Sequence, residues 1–311
     1  MFIQQENEMN QKLYDELKNI ISEDKIKVDE PMRSHTTFRV GGPAAFFVTP
    51  QTNEEVKAVV ACCKAQNVPY YIVGNGSNLL VSDHGYQGVI IQIFKGMNEI
   101  TIEGNVIKAQ AGALLSAVAN RALDAELTGF EFAAGIPGTL GGACVMNAGA
   151  YGGKMKDVLE TVTVLTEDGE ILTLKKEELE LGYRTSIIAK KNYVVLEAVI
   201  CLEKGEKAAI KGYMDELREK RITKQPLEYP SAGSTFKRPE GYFAGKLIQD
   251  ANLRGFQVGG AQVSEKHCGF VINKDNATAA DVVELMRQVS EKVEAEFGVK
   301  LEPEVKRLGE F

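Results

Sequence analysis

The feature that most constrains this chain is a glycine-dense run over residues 133–153 that contains no Lys, Arg, Asp or Glu. It includes GIPGTLGGA at 135–143 and NAGAYGG at 147–153. Glycine permits positive backbone φ and lets another molecule approach the main chain closely. The run therefore suggests backbone N–H groups presented to a phosphate-bearing ligand, and a surface without charges suits a dinucleotide cofactor. The alternative is a set of tight turns in a β-rich domain, which glycines alone support equally well.

A second glycine loop, GNGSNL at residues 74–79, follows a predicted strand, YYIV. It is not a Rossmann fingerprint, because Leu79 stands at the third glycine position and the next segment is strand-like rather than helical. It also lacks the Gly-Lys-Ser/Thr ending of a nucleotide P-loop. Two glycine loops on different strands can clasp one pyrophosphate, with Ser77 and Asn78 donating side-chain hydrogen bonds. Taken singly, the loop at 74–79 is better explained as a hairpin turn, and only the two loops together favour cofactor binding.

The composition argues against several classes of function. A net charge of −7 argues against nucleic acid as the main partner. The five cysteines and three histidines lack the spacing of a metal site or a disulfide framework, so we expect reduced thiols in a cytoplasm and no metal. Because no apolar run approaches the ~20 residues that span a bilayer, we expect neither membrane insertion nor export.

Hydrophobic periodicity predicts an α+β protein with two main lobes. Two β-rich segments around a Glu-Asp-Gly turn at 167–169 predict a hairpin. The charged break at 204–207 is a candidate domain boundary. Helices are predicted at residues 9–22, 53–66 with Asn53 as the cap, 114–124, 208–223 and 278–297, the last ending at Gly298. Helical spacing predicts a buried face in two of them, formed in the first by Leu13, Leu17, Ile20 and Ile21, and in the last by Val282, Leu285, Met286, Val289 and Val293.

Six collinear segments together resemble the UDP-N-acetylenolpyruvoylglucosamine reductase family. The resemblance covers almost all of the chain after about residue 30, and chance agreement over six ordered segments is not a serious competitor. The segments are SHTTFRVGGPA (34–44), VGNGSNLL (73–80), GFEFAAGIPGTLGGACVMNAGAYGG (129–153), LGYRTS (181–186), SAGSTFKRP (231–239) and LEPEVKRLG (301–309).

The resemblance implies an FAD-binding fold of the vanillyl-alcohol-oxidase/PCMH type with a C-terminal α+β substrate-binding lobe. It implies a lead-in with one helix at 1–33, an FAD-binding domain at 34–204 and a substrate-binding domain at 205–311. FAD is expected to be non-covalent, because the loop reads Gly76-Ser77-Asn78 without the His or Cys that tethers FAD in some relatives. The chain resembles the shorter of the two reductase types, since the segment after Ser186 leads directly into the strand NYVVLEAVI.

The implied reaction reduces the enolpyruvyl ether of a UDP-sugar to UDP-N-acetylmuramate, a cell-wall precursor, with NADPH as the hydride donor. The preference for NADPH over NADH is carried by the resemblance alone. The expected partners are accordingly the UDP-sugar and NADPH. The residues expected to bind FAD lie in the two glycine loops: Gly74, Asn75, Gly76, Ser77, Asn78, Leu79, Gly135, Gly142, Asn147 and Gly149.

Three residues match the family's catalytic positions. Arg184 would hold the substrate carboxylate and stabilise the negative charge that develops there. Ser234 would donate a proton to the carbon beside the carboxylate, and Glu304 would lie near the carbon that receives the hydride. The alternatives are a surface salt bridge for Arg184, a turn cap for Ser234, and Glu302 in place of Glu304.

Substrate contacts are assigned by the same resemblance. Lys224 resembles a phosphate-contacting lysine, and Arg238 follows Ser234 closely enough to reach a diphosphate. Lys237 and Lys246 are weaker candidates. Cys268 stands where the family has a small unreactive residue, so its thiol is either inert packing or sensitive to oxidation.

Two other functions remain open from the residues. One is an oxidase of the same flavin fold that uses dioxygen instead of the enolpyruvyl sugar. The other is a UDP-sugar-binding module without chemistry, against which the joint presence of the three catalytic residues counts. An oxidase would reoxidise its flavin in air without the sugar, which distinguishes it from the reductase. A binding module would lose no turnover on removal of the Ser234 hydroxyl, whereas the reductase would.

Overall fold

The computed structural model describes residues 2–311, with side chains from residue 10 onward. Residue 1, at the start of the predicted lead-in, lies outside the described residues. The α-helices are α1 (Phe2–Lys18), α2 (Asn53–Ala65), α3 (Leu115–Asp124), α4 (Leu140–Val145), α5 (Met155–Val158), α6 (Ile187–Lys190), α7 (Lys207–Lys224), α8 (Ala244–Asp250) and α9 (Ala279–Phe297). Short 3-10 helices lie at Glu23–Lys25, Met32–Ser34, Glu131–Ala133 and Lys176–Glu178.

The strands are short and distributed along the whole chain. In chain order they are β1 (Ile26–Pro31), β2 (Pro43–Val48), β3 (Tyr70–Val73), β4 (Leu79–Val81), β5 (Tyr86–Gln92), β6 (Ile100–Glu103), β7 (Val106–Gln110), β8 (Leu127–Thr128), β9 (Gly149–Ala150), β10 (Gly153–Lys154), β11 (Leu159–Leu165), β12 (Ile171–Lys175), β13 (Val194–Cys201), β14 (Glu203–Lys204), β15 (Ser231–Ser234), β16 (Gln257–Val258), β17 (Ala261–Val263), β18 (Phe270–Asn273) and β19 (Lys306–Leu308).

The chain packs into two compact units, each assembled from separated segments. The first unit contains the described residues up to Val28 together with Phe46–Gly74 and Gly88–Glu219. The second contains Asp29–Ala45, Asn75–Gln87 and Lys220–Phe311. These units are defined by the packing of the chain. The domain boundaries expected at residues 34 and 205 stay a prediction.

The first unit contains a five-stranded antiparallel sheet in the order β12-β11-β13-β7-β6. Its β11–β12 edge is the predicted hairpin, with Thr161 opposite Lys175 and Leu165 opposite Ile171. In β11, Val162 and Val164 are fully buried, and α4 packs against β13. In the same unit β3 and β5 pair in parallel, with Tyr70 opposite Val89. The part of the glycine run that forms α4 therefore packs against this sheet.

The second unit contains a four-stranded sheet in the order β15-β18-β17-β16, with α9 packed against it. The boundaries predicted for α9 are confirmed: Thr278 caps it in a reciprocal pair with Asp281, and Gly298 ends it at φ 68°. The predicted apolar stripe is also confirmed as core, because its residues are at most 1% exposed; they are Val282, Leu285, Met286, Val289 and Val293.

The boundaries of α1 and α2 differ from the predictions. Helix α1 begins at Phe2 rather than residue 9 and ends at Lys18 rather than residue 22. Leu13, Leu17 and Ile21 are buried as the spacing predicts, and Ile20 is half-buried. The N-cap of α2 is Thr52 rather than Asn53, because the Thr52 hydroxyl accepts a hydrogen bond from the N–H of Glu55. Periodicity locates the buried face of a helix better than it locates the helix ends.

None of the helices within residues 2–311 has the length and apolar character needed to cross a bilayer. The described side chains also include no group of three His, Cys, Asp or Glu residues arranged to hold a metal ion.

Candidate functional site

The two glycine loops meet at Gly74 and Thr139 in the first unit. A Cβ atom at Gly74 would overlap the Thr139 hydroxyl, so only glycine permits this contact. Thr139 caps α4, its Oγ1 accepting from the N–H of Gly142 at 3.5 Å. Gly141 is also closely packed, since its Cβ would lie 2.9 Å from the Ala111 Cβ. The structure thus brings the two glycine loops into contact at Gly74 and Thr139.

The glycines of the run serve two different purposes. Gly149 and Gly153 are packing glycines, because a Cβ at Gly149 would lie 2.6 Å from the Gly153 carbonyl oxygen and one at Gly153 would collide with the Phe132 ring. Gly142 is different, since its Cβ would meet only the Thr139 Oγ1 at 3.7 Å, and Gly135 is exposed. Accessible main chain is therefore available at Gly135 and Gly142, while the other two glycines hold the loop in shape.

The loop at 74–79 continues in the second unit, where Gly76 adopts a φ of 62°. A Cβ there would overlap the His35 carbonyl oxygen, and the N–H of Thr37 donates to the Gly76 carbonyl oxygen at 3.2 Å. The Thr37 hydroxyl is buried and has no hydrogen-bond partner within the described part of the chain. A buried hydroxyl without a protein partner is a position where a ligand, an ion or a water molecule can bind. Next to a charge-free glycine loop, this hydroxyl fits a phosphate-bearing cofactor such as FAD.

Asn78 attaches the same loop to the segment of Glu304. Its side-chain amide donates to the Glu304 carbonyl oxygen at 3.2 Å, and its own carbonyl accepts from the N–H of Lys306 at 3.0 Å. Strands β4 and β19 extend this contact as a parallel pair, with Leu79 opposite Lys306. Asn78 therefore positions the backbone at Glu304, and its contact with a cofactor stays a prediction.

Asn147 connects the glycine run to the loop of Arg184. Its side chain is 5% exposed, its amide donates to the Gly182 carbonyl oxygen at 2.8 Å, and its Oδ1 accepts from the N–H of Lys156 at 2.9 Å. Ser186 adds a second attachment, since its hydroxyl donates to the Val145 carbonyl oxygen at 2.6 Å. Both ends of the LGYRTS segment are thereby held against the glycine run.

Arg184 lies at the tip of a tight turn closed by the Gly182–Thr185 bridge. Its φ of 54° is in the left-handed region, which costs a non-glycine residue about 1 kcal/mol or more. The guanidinium carbon lies 5.2 Å from the centroid of the exposed Tyr183 ring. The side chain is half-buried. Arg184 thus has a left-handed backbone conformation on a turn that the hydrogen bonds of Asn147 and Ser186 hold in place, which makes it a candidate for a functional role.

Ser234 and Glu304 belong to two segments that pair directly in the second unit. The N–H of Glu304 donates to the Thr235 carbonyl oxygen at 2.8 Å, and the N–H of Lys237 donates to the Glu302 carbonyl oxygen at 2.8 Å. Between these bonds, Phe236 bridges Pro303. Ser234 is exposed at the end of β15, after Gly233 at φ 74°. The structure therefore brings the segments of two predicted catalytic residues side by side.

The same pairing separates Glu304 from its alternative, Glu302. The Glu302 carboxylate forms an ion pair with Lys237 at 3.0 Å, and the Glu302 side chain is 69% exposed. Glu304 is half-buried beside Thr235 and Asn78. Because the Lys237 ammonium is paired with Glu302, Lys237 is a weaker candidate for contact with the substrate. The environment favours Glu304 over Glu302 as the functional carboxylate, and its role stays a prediction.

The basic residues expected near a diphosphate have different surroundings. Lys224 is the exposed last residue of α7, and Lys246 forms an ion pair with Asp250 at 2.5 Å. The Arg238 guanidinium lies 4.0 Å from the ring centroid of Phe243, and its Nε donates to the Tyr242 carbonyl oxygen at 3.3 Å. Because stacking orients a planar guanidinium, Arg238 is better positioned than Lys246 to hold an anion.

Cys268 belongs to the core rather than to a reactive surface. It is 5% exposed in the hydrophobic cluster of the second unit. Burial raises the pKa of its thiol, which keeps the thiol protonated and poorly nucleophilic near neutral pH. The structure supports the packing interpretation.

Sequence reasoning missed Thr37 and Ser186 as functional candidates, and it missed the structural role of Asn147. Thr37 and Ser186 lie inside two of the segments that carry the family resemblance, SHTTFRVGGPA and LGYRTS. The contact that reveals the role of Ser186 is distant in sequence, because Ser186 and Val145 are 41 residues apart. Local spacing contains no sign of such a partner.

Two family models match separate parts of the chain, and named relatives match most of it. A family model described as an FAD binding domain matches residues 44–175, and one described as the UDP-N-acetylenolpyruvoylglucosamine reductase C-terminal domain matches residues 225–308. The reductase of Agathobacter rectalis is 58% identical over 295 residues, which cover 91% of this chain and 94% of that protein. The reductase of Clostridium perfringens strain 13 is 56% identical over 303 residues, covering 97% and 99%.

Solved structures support the fold. The crystal structure of UDP-N-acetylenolpyruvylglucosamine reductase from Thermus caldophilus has a TM-score of 0.78 at 36% identity, covering 91% of this chain and 98% of that one. A 4-ethylphenol oxidase from Gulosibacter chungangensis has a TM-score of 0.51 at 14% identity, covering 92% and 64%, and this likeness concerns the fold alone. The expected FAD-binding fold of the vanillyl-alcohol-oxidase/PCMH type is confirmed.

Proposed function

The chain belongs to the UDP-N-acetylenolpyruvoylglucosamine reductase family, and we propose that Arg184, Ser234 and Glu304 carry the chemistry of its reaction. It is an FAD-dependent oxidoreductase that reduces the enolpyruvyl ether of UDP-N-acetylglucosamine enolpyruvate to UDP-N-acetylmuramate for peptidoglycan synthesis, with NADPH as the hydride donor. Non-covalent FAD, when bound, supplies the hydride chemistry, passing a hydride from NADPH to the methylene carbon of the enolpyruvyl group.

The residues proposed to hold FAD are those of the two glycine loops together with Thr37. The contact of Gly74 with Thr139 joins the loops, and Gly135 and Gly142 leave main chain accessible. The unsatisfied Thr37 hydroxyl offers a donor to a phosphate oxygen. No positive charge is needed in such a cradle, since backbone N–H groups supply the partial charges.

Arg184 is proposed to bind the carboxylate of the enolpyruvyl group. Addition of a hydride to the methylene carbon leaves an electron pair on the adjacent carbon, and this charge spreads into the carboxylate. A guanidinium remains protonated throughout and donates two parallel hydrogen bonds, so it stabilises the charge as it develops. The attachment of its turn by Asn147 and Ser186 supports this role, because a preorganised cation loses little entropy on binding.

Ser234 is proposed to complete the reduction by donating its hydroxyl proton to the carbon beside the carboxylate. A serine is a very weak acid, but the carbon that it protonates is strongly basic at this stage. The Ser234 oxygen then regains a proton before the next turnover. Its exposed position at the end of β15 supports the proposal, since the hydroxyl is accessible to a ligand.

Glu304 is proposed to lie by the carbon that receives the hydride. Lys224 and Arg238 are proposed to bind the diphosphate of the UDP-sugar. The stacking of Arg238 on Phe243 supports its part, because the ring fixes the plane of the guanidinium. We also propose that the protein acts in the cytoplasm, which its five free cysteines favour.

The single observation that carries the assignment is the main-chain pairing of residues 235–237 with residues 302–304. It joins the segments of Ser234 and Glu304, which are far apart in sequence. The test is an anaerobic absorbance titration of the purified protein. We expect a yellow protein whose flavin band is bleached by NADPH and restored by the enolpyruvyl sugar. A colourless protein that takes up no FAD contradicts the proposal, and reoxidation by air at the same rate without the sugar indicates an oxidase instead.

A further inference from the structure

A pocket of about 600 Å³ lies within the second unit. Its walls come from the segment 31–43, from Asp83, and from the turn 273–278 that precedes α9. None of the residues assigned above to cofactor, substrate or catalysis lines it. The volume falls within the range of about 300–1,000 Å³ that is typical of small-molecule sites.

Two arginine side chains, Arg33 and Arg39, line this pocket. Both side chains are exposed, and neither guanidinium forms an ion pair or hydrogen bond with residues 10–311, whose side chains the structure describes. The chain as a whole has 43 acidic and 36 basic residues. An excess of carboxylates makes paired arginines the expectation, so two uncompensated ones beside a single pocket call for an external anion.

Two other polar side chains of the pocket, Asp83 and Asn273, already have partners. Asp83 is the only carboxylate in the lining, and its two oxygens accept from the N–H groups of Ala279 and Ala280 at 2.8 and 2.9 Å. Asn273 donates to the Phe38 carbonyl oxygen at 3.1 Å and accepts from the N–H of Ala277 at 2.8 Å. Asp83 is thereby neutralised by the start of α9 and is not available to the arginines.

The backbone around Arg39 is ordered by local hydrogen bonds. Arg39 adopts a φ of 54°, and its N–H donates to the Thr36 carbonyl oxygen at 3.2 Å. The Thr36 hydroxyl, in a residue that is 6% exposed, donates to the Val40 carbonyl oxygen at 3.1 Å. Gly42 packs against the backbone of residues 83–85 with no room for a Cβ. The wall that carries Arg39 is therefore formed before any ligand arrives.

We propose that this pocket binds a small phosphorylated metabolite, with its phosphate held by Arg33 and Arg39. Guanidinium groups match the geometry of phosphate oxygens and bind them with charge-assisted hydrogen bonds. The apolar part of the lining, Pro31, Val40 and Ala277, receives the organic portion of the ligand. The turn that carries Arg39 also contains Thr37, whose N–H holds Gly76, so occupancy stabilises the second glycine loop.

Isothermal titration calorimetry on the FAD-loaded protein tests the proposal, with inorganic phosphate, glucose 6-phosphate and glucose as probes. We expect glucose 6-phosphate to bind more tightly than phosphate, and glucose not to bind. The Arg33→Gln/Arg39→Gln variant should weaken glucose 6-phosphate binding by at least about tenfold. Arg218→Gln, which removes an exposed arginine of α7 outside the pocket, should bind like the parent.

A second variant leaves both arginines in place. Asn276→Asp adds a carboxylate to the pocket wall at a φ of 50°, which aspartate tolerates, and should abolish binding by supplying an internal anion. Arg238→Gln removes a proposed diphosphate contact and should leave glucose 6-phosphate binding unchanged. The proposal is overturned if the parent protein binds neither phosphate nor glucose 6-phosphate. It is also overturned if the Arg33→Gln/Arg39→Gln variant and the Asn276→Asp variant bind glucose 6-phosphate as tightly as the parent does. Loss of binding in Arg238→Gln alone assigns the phosphate to the substrate site and also overturns it.

Discussion

The side-chain amide of Asn147 donates a 2.8 Å hydrogen bond to the carbonyl oxygen of Gly182, two residues before Arg184. The other end of the same amide accepts from the N–H of Lys156. A residue expected to touch FAD therefore ties the cofactor loop to the turn of the proposed catalytic cation. This connection makes the position of Arg184 depend on the glycine run.

Asn147→Asp should loosen the Arg184 turn while keeping the contact with Lys156. An aspartate still accepts from that N–H, but it cannot donate to the Gly182 carbonyl oxygen, which is left unsatisfied at a cost of about 1–3 kcal/mol. We expect lower kcat with FAD content unchanged, measured by steady-state kinetics and flavin absorbance. Loss of FAD with normal kcat per bound flavin would show that Asn147 serves the cofactor instead.

Ser234→Ala should lower turnover by about a hundredfold or more, the usual contribution of a general acid. Reduction of the flavin by NADPH, followed by stopped-flow absorbance, should remain at the parent rate because it precedes protonation of the substrate. Ser231→Ala in the same strand is the matched control and should keep full turnover. Equal turnover in both variants removes Ser234 as the proton donor.

Glu304→Gln and Glu302→Gln should differ although the residues are two positions apart. Glu302 pairs with Lys237 at the surface, where such pairs contribute about 0–1 kcal/mol, so its loss should leave turnover nearly unchanged. Glu304→Gln should reduce kcat by about a hundredfold with little change in melting temperature. Kinetics and thermal melting of both variants provide the check, and the reverse order of effects would assign the role to Glu302.

Gly74→Ala should reduce FAD retention, because its Cβ would overlap the Thr139 hydroxyl at the junction of the two loops. We expect a loss of about 1–3 kcal/mol in the free energy of unfolding, as for other overpacked sites. Adding Thr139→Ala removes the overlapping hydroxyl and should restore part of the bound flavin, measured as absorbance per protein after gel filtration. Full FAD retention in Gly74→Ala alone would show that the loops need not touch.

Cys268 should react slowly with iodoacetamide in the folded protein. Burial raises the pKa of its thiol, so the reactive thiolate is scarce at neutral pH and increases only as the pH rises. Cys201 is less buried and should be labelled first, as followed by peptide mass spectrometry. Preferential labelling of Cys268 at pH 7 would contradict the packing interpretation.

Much of the fold could be read from local patterns. The stripe of α9 predicts a buried face, and Thr278 and Gly298 mark its ends, because caps and periodicity are properties of neighbouring residues. The β11–β12 hairpin follows from two β-rich segments and a short turn. Where a boundary was wrong, as at Thr52, two adjacent residues could both act as the cap and only the hydrogen bond to Glu55 distinguishes them.

The sequence by itself determined the family and the FAD-binding fold, and it predicted the two glycine loops as cofactor segments. Only the tertiary structure decided which glycines pack and which expose main chain, and which segments lie together. Asn147 reaches Gly182 across 35 residues, and Asn78 reaches Glu304 across 226. The physical reason is that a side-chain hydrogen bond depends on its partner's position in space, which local spacing along the chain does not encode.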